Sequence, residues 1–448
     1  MNKYIERVIE DVKAKNPTEV EFIQTVEEVL STLSPIIDAH PEYEKAALLE
    51  KMVEPERTIM FRVPWTDDNG VEHVNRGYRV QFNGAIGPYK GGLRFAPHVT
   101  LSVMKFLGFE QTLKNSLTTL PMGGAKGGSD FDPNGKSDEE IKRFCQSFMT
   151  ELYRHIGPNL DVPAGDIGVG GREIGYLFGQ YRRIRGNYEN GVLTGKGRSY
   201  GGSKIRPEAT GYGAVYYLKA VLKHEGDTLK GKTVSVSGFG NVAWGVCKKL
   251  AQEGALPVTL SGPDGYIYDK DGIITDEKID YLLEMRLSGN NRVKDYADKF
   301  GVEFIPGRKP WELKTDIVMP CAVQNDVNMD EAKKIVANGT KYYIEVANMP
   351  TTNEALAFFK EQKGMVVAPS KAVNAGGVLV SGLEMSQNSE RLSWSSKEVD
   401  EKLESIMTKI HDKSAATAEK YGLGYDLVAG ANLVGFKKVA DAMMEQGI

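Results

Sequence analysis

At 448 residues, the chain is longer than one hydrophobic core usually supports, so its length predicts two domains. Hydrophobic residues make up 41% and charged residues 26% of the composition, which is typical of a globular protein and excludes disorder as the default. The formal net charge of −4 gives no electrostatic support for binding to nucleic acid or to a membrane surface.

The sequence contains no recognisable sorting or metal-binding signal. Its first residues lack the apolar segment of a signal peptide, and no apolar run approaches the ~18 residues of a membrane span. Cys145, Cys247 and Cys321 are far apart and odd in number, so neither a disulfide framework nor a zinc site is predicted. The six histidines show no metal-ligand spacing either. We expect a cytoplasmic protein without a metal.

The first 200 residues predict a mixed α/β domain. Apolar residues at helical spacing predict helices over 1–55, and alternating residues predict strands over 57–85. Two lysine-containing loops follow, GPYKGGLRF and PMGGAKGGSD, with helices predicted near 100–119 and 137–156. A glycine-rich stretch over 185–213 places a domain boundary near residue 200.

The remaining residues alternate helices with short apolar runs. Such runs are KTVSVSG, LPVTLSG, TDIVMPC, KYYIEVAN and GMVVAPS, and each predicts a buried parallel strand of an open sheet. After 371 the pattern is helical again. We expect this sheet domain to cover 201–424, and the last helix, over 425–448, to pack back on the domain formed by 1–200.

The segment GFGNVA is the candidate cofactor turn. A predicted strand precedes this GxGxxA pattern and a predicted helix follows it, so glycine permits a tight turn and helix N–H groups face a pyrophosphate. The alternative is an ordinary strand-to-helix turn. We interpret 201–424 as a Rossmann-like domain whose turn residues bind the cofactor: Gly238, Phe239, Gly240, Asn241 and Val242.

The end of the next predicted strand bears on the choice of cofactor. The segment LSGPDGYIYD places Ser261 and Asp264 where the adenosine ribose is expected, and no Lys or Arg occurs over 255–269. A 2′-phosphate needs a cation, whereas an acid can bond the ribose hydroxyls. The segment favours NAD over NADP, unless a distant loop supplies the cation.

Three lysines are candidates for substrate binding and chemistry. Lys90 and Lys126 lie in glycine-rich segments, where backbone can approach a bound molecule closely. Lys114 lies one helical turn from Gln111, so the two residues share a face of the predicted helix. The alternative for each lysine, and above all for Lys114, is an ordinary solvated side chain.

An aspartate and a helical stripe complete the candidates. Asp166 lies in PAGDIGVG, too far ahead of the next predicted helix to cap it directly, which favours a functional role. Asn374, Val378 and Ser381 fall at the spacing of one helical stripe and suit the lining of a small pocket. The alternative for the stripe is a buried helix with one satisfied asparagine.

Taken together, these segments closely resemble the glutamate dehydrogenases of the hexameric microbial type. The motifs on which this resemblance rests occur along the whole chain in the same order as in the family. They are GPYKGGLRF, KFLGFEQTLKNSLTTLPMGGAKGG, PAGDIGVGGREIGY, RPEATGYG, GFGNVAWG, EVANMP and PSKAVNAGGVLVSG. GFGNVAWG and LSGPDGYIYD are similar to the NAD-using clostridial members. The resemblance implies an N-terminal substrate and assembly domain, a Rossmann-like cofactor domain and an active-site cleft between them.

The resemblance also implies a role for each matching residue. Lys126 would act as the base for the attacking water, and Asp166 would move a proton to and from the substrate nitrogen. The pocket residues would be Lys90 and Ser381 for the side-chain carboxylate, Lys114 and Gln111 for the α-carboxylate, Ala164 and Val378 for the methylenes, and Thr194, Arg206 and Asn374 around them. Thr210, Asn241 and Asn348 would help to hold the cofactor.

The implied reaction is the reversible oxidation of L-glutamate to 2-oxoglutarate and ammonium with NAD, by a cytoplasmic homohexamer. One rival is the same reaction with NADP. A second is a related dehydrogenase acting on leucine, phenylalanine or valine, against which Lys90 and Ser381 argue. A third is a catalytically silent cofactor-binding protein, which the presence of Lys114, Lys126 and Asp166 disfavours.

Overall fold

The computed structural model describes residues 2–448, and the chain divides into two units. The first unit runs up to Lys204 and adds Val378–Val399 and Asn432–Ile448. The second unit comprises Ile205–Gly377 and Asp400–Ala431. No helix within residues 2–448 is both long enough and apolar enough to cross a membrane.

The chain up to Lys204 begins with helices and continues into a mixed sheet. Its elements are α1 (Lys3–Lys15), α2 (Val20–Ser31), α3 (Ser34–Ala39), α4 (Glu42–Lys45), α5 (Leu48–Val53), β1 (Arg57–Thr66), β2 (Glu72–Asn83), β3 (Tyr89–Phe95), α6 (Leu101–Leu117), β4 (Gly124–Ser129), α7 (Asp138–Leu152), β5 (Asp161–Gly165) and α8 (Gly171–Arg185).

The remaining chain contains a second sheet and the C-terminal helices. Its elements are α9 (Ala209–His224), β6 (Thr233–Val236), α10 (Asn241–Gln252), β7 (Leu256–Pro257), β8 (Thr259–Gly262), β9 (Gly265–Tyr268), α11 (Asp276–Ser288), α12 (Lys294–Phe300), β10 (Glu303–Pro306), β11 (Ile317–Met319), α13 (Met329–Ala337), β12 (Tyr342–Ile344), α14 (Asn353–Lys360), β13 (Val366–Ala368), α15 (Ser370–Val373), α16 (Gly376–Glu390), α17 (Ser396–Lys420) and α18 (Leu427–Gln446).

The sheet of the first unit has the order β1-β2-β4-β3-β5. β1 and β2 form the antiparallel pair that the alternating pattern predicts, and β2 pairs antiparallel with β4. β3 runs parallel to both β4 and β5. The two lysine-containing loops predicted from the sequence are therefore wrong in their central parts, since β3 and β4 are strands in the middle of the sheet.

Glycine misled the prediction because these strands approach their neighbours too closely for side chains. A Cβ on Gly127 would lie 2.7 Å from the Tyr78 carbonyl oxygen and 2.9 Å from Leu93 Cδ2. Glycine inside a strand often marks a site where another part of the chain approaches closely. An aromatic core that includes Phe95, Phe131 and Phe144 packs in the same unit.

The second unit contains a five-stranded parallel sheet of order β13-β12-β11-β6-β7. This arrangement confirms the expected fold class, an α/β protein with a Rossmann-like domain. The segment LPVTLSG is the exception, because only β7 joins the parallel sheet. The Val258 N–H still bonds the Val234 carbonyl at 2.9 Å, but beyond it the Thr259 hydroxyl, rather than its backbone, bonds Val236. β8 then forms a separate antiparallel sheet with β9 and β10.

The structure differs from the predicted domain over 201–424 at Val378–Val399, which belongs to the first unit. A Cβ on Gly382 would lie 2.6 Å from Leu120 Cδ1, so α16 packs tightly on the chain after α6. Glu384 on α16 also forms a buried ion pair with Lys196. Long-range contacts of this kind leave no local trace in the sequence.

Asp264 organises the start of α12. Its Oδ1 accepts a hydrogen bond from the Val293 N–H at 2.9 Å, and its Oδ2 accepts one from the Lys294 N–H at 3.0 Å. The first N–H groups of a helix have no partner within the helix, so a carboxylate at this position stabilises it. Asp264 therefore links the β8–β9 turn to α12.

Replacing Asp264 with Ala should destabilise the start of α12 by about 1 kcal/mol, the usual cost of losing such a cap. Hydrogen–deuterium exchange over residues 293–300 should then be faster, by about fivefold for that free energy. Asp298→Ala is the matched control, because Asp298 is an exposed residue of the same helix that forms a surface ion pair with Lys294. Equal exchange in both variants would contradict the capping role.

Candidate active site

Three adjacent strands carry the candidate site of the first unit. Leu93 on β3 pairs with Gly127 on β4, and Gly92 on β3 pairs with Ala164 on β5. Because side chains alternate along a strand, Lys90, Lys126 and Ala164 project from the same face of the sheet. Asp166 follows directly after β5 in a tight turn, in which its carbonyl accepts the Val169 N–H at 2.9 Å.

Lys126 and Asp166, predicted from separate segments, are in contact. Lys126 Nζ lies 3.1 Å from Asp166 Oδ2, and Arg94 Nε donates to the same oxygen at 2.8 Å. Asp166 does not cap α8; the N-cap residue is Gly170, whose N–H donates to the Glu173 carboxylate at 2.7 Å. Arg94 was missed in the sequence, although its even spacing from Lys90 along β3 puts both side chains on one face.

The electrostatics of this cluster shift both partners. Burial lowers the pKa of Lys126, and the nearby Arg94 guanidinium lowers it further, although the Asp166 carboxylate opposes both effects. Burial alone would raise the pKa of Asp166, but attraction to Lys126 and Arg94 outweighs it and lowers that pKa to about 2. At neutral pH the cluster therefore presents an ionised carboxylate beside an amine that releases its proton more easily than a free lysine.

Lys90 is held on the same face by a fully buried hydroxyl. Its side chain is 1% exposed, and its Nζ donates to Thr194 Oγ1 at 2.9 Å. The Thr194 N–H in turn bonds the Pro163 carbonyl of β5 at 3.0 Å. The structure thus brings together two predicted residues, Lys90 and Thr194, from distant parts of the chain.

Gln111 and Lys114 lie one turn apart on α6, as expected. Gln111 Nε2 donates to Asn115 Oδ1 at 2.6 Å, and Asn115 Nδ2 donates to the Lys90 carbonyl at 3.0 Å. Asn115, which was not among the residues predicted from the sequence, therefore connects α6 to β3. Lys114 is half-buried near the end of α6.

A buried ion pair supports the sheet from its other face. Arg79 on β2 forms a two-point ion pair with Asp161 on β5, and neither side chain is exposed. Arg79 Nη1 also donates to the Gly91 carbonyl at 3.1 Å, and Gln81 Nε2 reaches Asp161 at 3.0 Å. This network joins β2, β3 and β5 behind the lysines.

The predicted stripe of Asn374, Val378 and Ser381 is not on one helix. Asn374 is the C-cap of α15, and α16 begins only at Gly376. At Gly376 the chain packs closely against Ala209 and Gly213. A Cβ at residue 376 would lie 3.0 Å from the Cα of Gly213, so glycine is required there. Val378 and Ser381 share α16, and Ser381 is 1% exposed.

The second unit groups the other predicted polar residues. Asn374 Nδ2 donates to Asn348 Oδ1 at 2.9 Å, while Asn374 Oδ1 is buried and has no hydrogen-bond partner within residues 2–448. Gly377 lies against Thr210 and Arg206, since a Cβ there would be 2.6 Å from Thr210 Oγ1 and 3.8 Å from Arg206 Nη1. A buried acceptor without a partner is suited to a bound amide or ammonium group.

The GFGNVA turn has the geometry expected of a dinucleotide site. It connects β6 to α10, Gly238 adopts a φ of +79°, and its N–H donates to Ser261 Oγ at 2.9 Å. No side chain caps the N-terminus of α10, so its N–H groups are available to a phosphate. The turn borders a cavity of about 780 Å³ in the second unit, which Gly238, Phe239, Gly240, Asn241, Val242 and Ser261 all line. The residues present therefore fit a dinucleotide.

The ribose argument from the sequence needs correction. Asp264 is not among the residues lining this cavity, because its carboxylate bonds the start of α12. Arg286, Arg308 and Lys309 do line the cavity, so the cations missing over 255–269 arrive from distant segments. Arg286 also donates to Asn241 Oδ1.

Known proteins resemble this chain over nearly its whole length. Two family models match: "Glutamate/Leucine/Phenylalanine/Valine dehydrogenase" over 201–447, and the "Glu/Leu/Phe/Val dehydrogenase, dimerisation domain" over 55–183. The "NAD-specific glutamate dehydrogenase" of Clostridium symbiosum is 75% identical, with 100% of each chain covered. The protein of the same name in Bacteroides fragilis is 58% identical, with 99% of each chain covered.

A solved structure gives the same result. A structure named "glutamate dehydrogenase" superposes with a TM-score of 0.99 at 75% identity, with 100% of each chain covered. These matches confirm the resemblance inferred from the motifs. The chain therefore belongs to the glutamate/leucine/phenylalanine/valine dehydrogenase family, among its glutamate dehydrogenases.

Proposed function

We propose that the chain catalyses the reversible oxidative deamination of L-glutamate to 2-oxoglutarate and ammonium, with NAD as the hydride acceptor. The observation that carries this proposal is the buried contact of Lys126 with Asp166, on the sheet face that also carries Lys90. In the balanced reaction, glutamate, NAD⁺ and water give 2-oxoglutarate, ammonium, NADH and a proton.

Substrate recognition rests on cations that match two carboxylates. Lys90 and the hydroxyl of Ser381 would bind the side-chain carboxylate, and Thr194 orients the Lys90 ammonium. Lys114 and Gln111 would hold the α-carboxylate from α6. The distal carboxylate of glutamate would form a charge-assisted hydrogen bond with the buried Lys90 ammonium, which an apolar side chain cannot form, and this favours glutamate over leucine.

The chemistry would be performed by Lys126 and Asp166. When bound, NAD accepts the hydride from the substrate α-carbon, which leaves an imine. Lys126 would remove a proton from the water that adds to this carbon, and its lowered pKa suits that task. Asp166 would exchange a proton with the substrate nitrogen, and the transfer requires that substrate binding weakens its contacts with Lys126 and Arg94.

Other predicted residues would have supporting roles. Ala164 and Val378 would contact the substrate methylenes, and Arg206 would support the pocket. The unpartnered Asn374 Oδ1 would accept a hydrogen bond from the substrate or cofactor, while Thr210 and Asn348 would hold the nicotinamide side of the cofactor. The GFGNVA turn with Ser261 would bind the remainder of the dinucleotide.

We also propose that the first unit carries the assembly surface and that the enzyme is a cytoplasmic homohexamer. The match to a family model described as a dimerisation domain supports self-association. β1 is an edge strand, and the outward face of β1 and β2 exposes the apolar side chains of Met60 (60% exposed) and Val74 (65% exposed) on either side of the paired Arg62 and Arg76. Such a face is suited to burial against another copy.

Replacing Lys126 with Ala should lower kcat for glutamate oxidation by about 10³-fold or more, because the base is lost. Affinity for NAD should change little, since Lys126 lies outside the dinucleotide turn. NADH absorbance reports turnover, and calorimetry reports NAD binding. Lys142→Ala on the exposed face of α7 is the control. A comparable loss of NAD affinity would count against the assigned role.

Replacing Arg94 with Met should move the rising limb of the kcat/KM profile to higher pH. Arg94 lowers the pKa of Lys126, so its removal raises the pH at which Lys126 loses its proton. The pKa of Asp166 should rise as well, because one of its two cations is lost. Arg183→Met, on the exposed face of α8, is the control. If a folded Arg94 variant shows the rising limb of kcat/KM at an unchanged pH, a group other than Lys126 determines that limb.

Replacing Lys90 with Met should lower kcat/KM for glutamate by about 10³-fold, because the side-chain carboxylate loses a buried cation. Oxidation of L-norvaline, which has the carbon chain of glutamate without the distal carboxylate, should be unchanged or faster. The two substrates are compared by NADH formation, with Lys142→Met as the control. Equal losses on both substrates would place Lys90 outside the specificity pocket.

A further inference from the structure

A second fully buried ion pair lies close to the proposed substrate pocket and takes no part in the chemistry. Lys196 Nζ lies 2.7 Å from Glu384 Oε1, and both side chains have 0% exposure. Lys196 Nζ also donates to Asn388 Oδ1 at 2.9 Å and to the Leu193 carbonyl. Both partners belong to the first unit.

Glu384 also binds the backbone immediately after Thr194. Its Oε2 accepts the Gly195 N–H at 3.1 Å, and its Oε1 accepts the Lys196 N–H at 3.4 Å. One carboxylate on α16 therefore fixes two consecutive peptide groups. Thr194 directly precedes these two peptide groups, and its Oγ1 accepts a hydrogen bond from the Lys90 ammonium.

Neighbouring side chains of α16 extend the same attachment. Gln387 Nε2 donates to Ser203 Oγ at 2.9 Å, and Asn388 Nδ2 donates to the Gly201 carbonyl at 2.8 Å. The segment from Leu193 to Ser203 is thus attached to α16 along more than one turn. Ser381 lies one turn before Glu384 on this helix, so the attachment begins beside the second proposed carboxylate ligand.

We propose that Lys196 and Glu384 are positioning residues that fix Thr194 relative to Ser381, and thereby set the separation of the Lys90 ammonium from the Ser381 hydroxyl. This separation would match the distal carboxylate of glutamate, so the inference rests on the proposed function. The ion pair touches no substrate atom and acts only through Thr194 and α16.

The free-energy cost of burying the Lys196–Glu384 pair favours a role in positioning Thr194 over a role in stabilising the fold alone. Removing two charges from water costs several kcal/mol, and well-packed apolar residues of similar volume are often equally stable. Burial lowers the pKa of Lys196 despite the opposing attraction of Glu384, which shows that the lysine is costly to keep charged here. What an apolar pair cannot supply is a carboxylate that bonds the N–H groups of both Gly195 and Lys196.

The test compares glutamate with L-norvaline in the double variant Lys196→Met/Glu384→Leu, assayed as full-length enzyme. Glutamate kcat/KM should fall by about 10- to 100-fold, chiefly through KM, as expected for a binding group displaced by ~1 Å. Norvaline oxidation should change by less than about threefold, because it needs neither ligand of the distal carboxylate. The glutamate-to-norvaline ratio is therefore the readout, and NAD affinity should stay constant.

Two further variants keep the result interpretable. Glu384→Gln preserves shape and should lower the ratio in the same direction, and it decides the question if the double variant does not fold. Lys249→Met/Asp400→Leu removes another largely buried pair, in the second unit, and should leave the ratio unchanged. An unchanged ratio in folded Lys196 and Glu384 variants would overturn the inference, whereas absence of glutamate oxidation in the unaltered enzyme would overturn the proposed function itself.

Discussion

The candidate site depends on the buried ion pair of Arg79 with Asp161 behind the sheet. A guanidinium and a carboxylate with no exposure are stable only if nearly every donor and acceptor is satisfied. Gln81 and the Gly91 carbonyl supply the remaining partners, so β2, β3 and β5 are fixed relative to one another. Because side chains alternate, the opposite face of these strands and of β4 then presents Lys90, Lys126 and Ala164 in a rigid arrangement.

This rigidity allows a concentration of positive charge that would be unfavourable on a flexible surface. Arg94 and Lys126 both contact the carboxylate of Asp166, and the Lys90 ammonium donates a hydrogen bond to the Thr194 hydroxyl. A substrate with two carboxylates would therefore meet three cationic side chains beside the one carboxylate of Asp166. The protein bears the cost of assembling these cations when it folds, so the bound substrate gains their full attraction.

Local sequence pattern was informative about some elements and silent about others. The parallel strands β6, β11, β12 and β13 were predictable because buried strands are continuous apolar runs. β3 and β4 were mistaken for loops because their glycines reflect tight packing rather than turns. Asp264 was misplaced because the N–H groups that it bonds, at 293 and 294, are too far along the chain for any local pattern to show.

In the candidate site, too, some residues were predictable from local sequence pattern and others were not. The contacts of Lys126 with Asp166 and of Lys90 with Thr194 join residues distant in the chain, so no local pattern predicted them. Only the resemblance to a family placed these four residues in one site. Arg94 lies on the same strand face as Lys90 and could have been found from that strand alone, had β3 been recognised. Lys196 and Glu384 carried no signal, because charged residues are normally expected at the surface.

The glycines of β4 bear on how variation among related sequences is interpreted. Side chains at 124 and 127 would overlap Thr112 and Tyr78 in the folded protein, whether or not a substrate is present. A scan of all substitutions should therefore find these positions intolerant even in a selection for folding alone. Invariance of the glycines around Lys126 would therefore reflect the packing of β4. Only invariance of Lys126 itself would be evidence of a catalytic role.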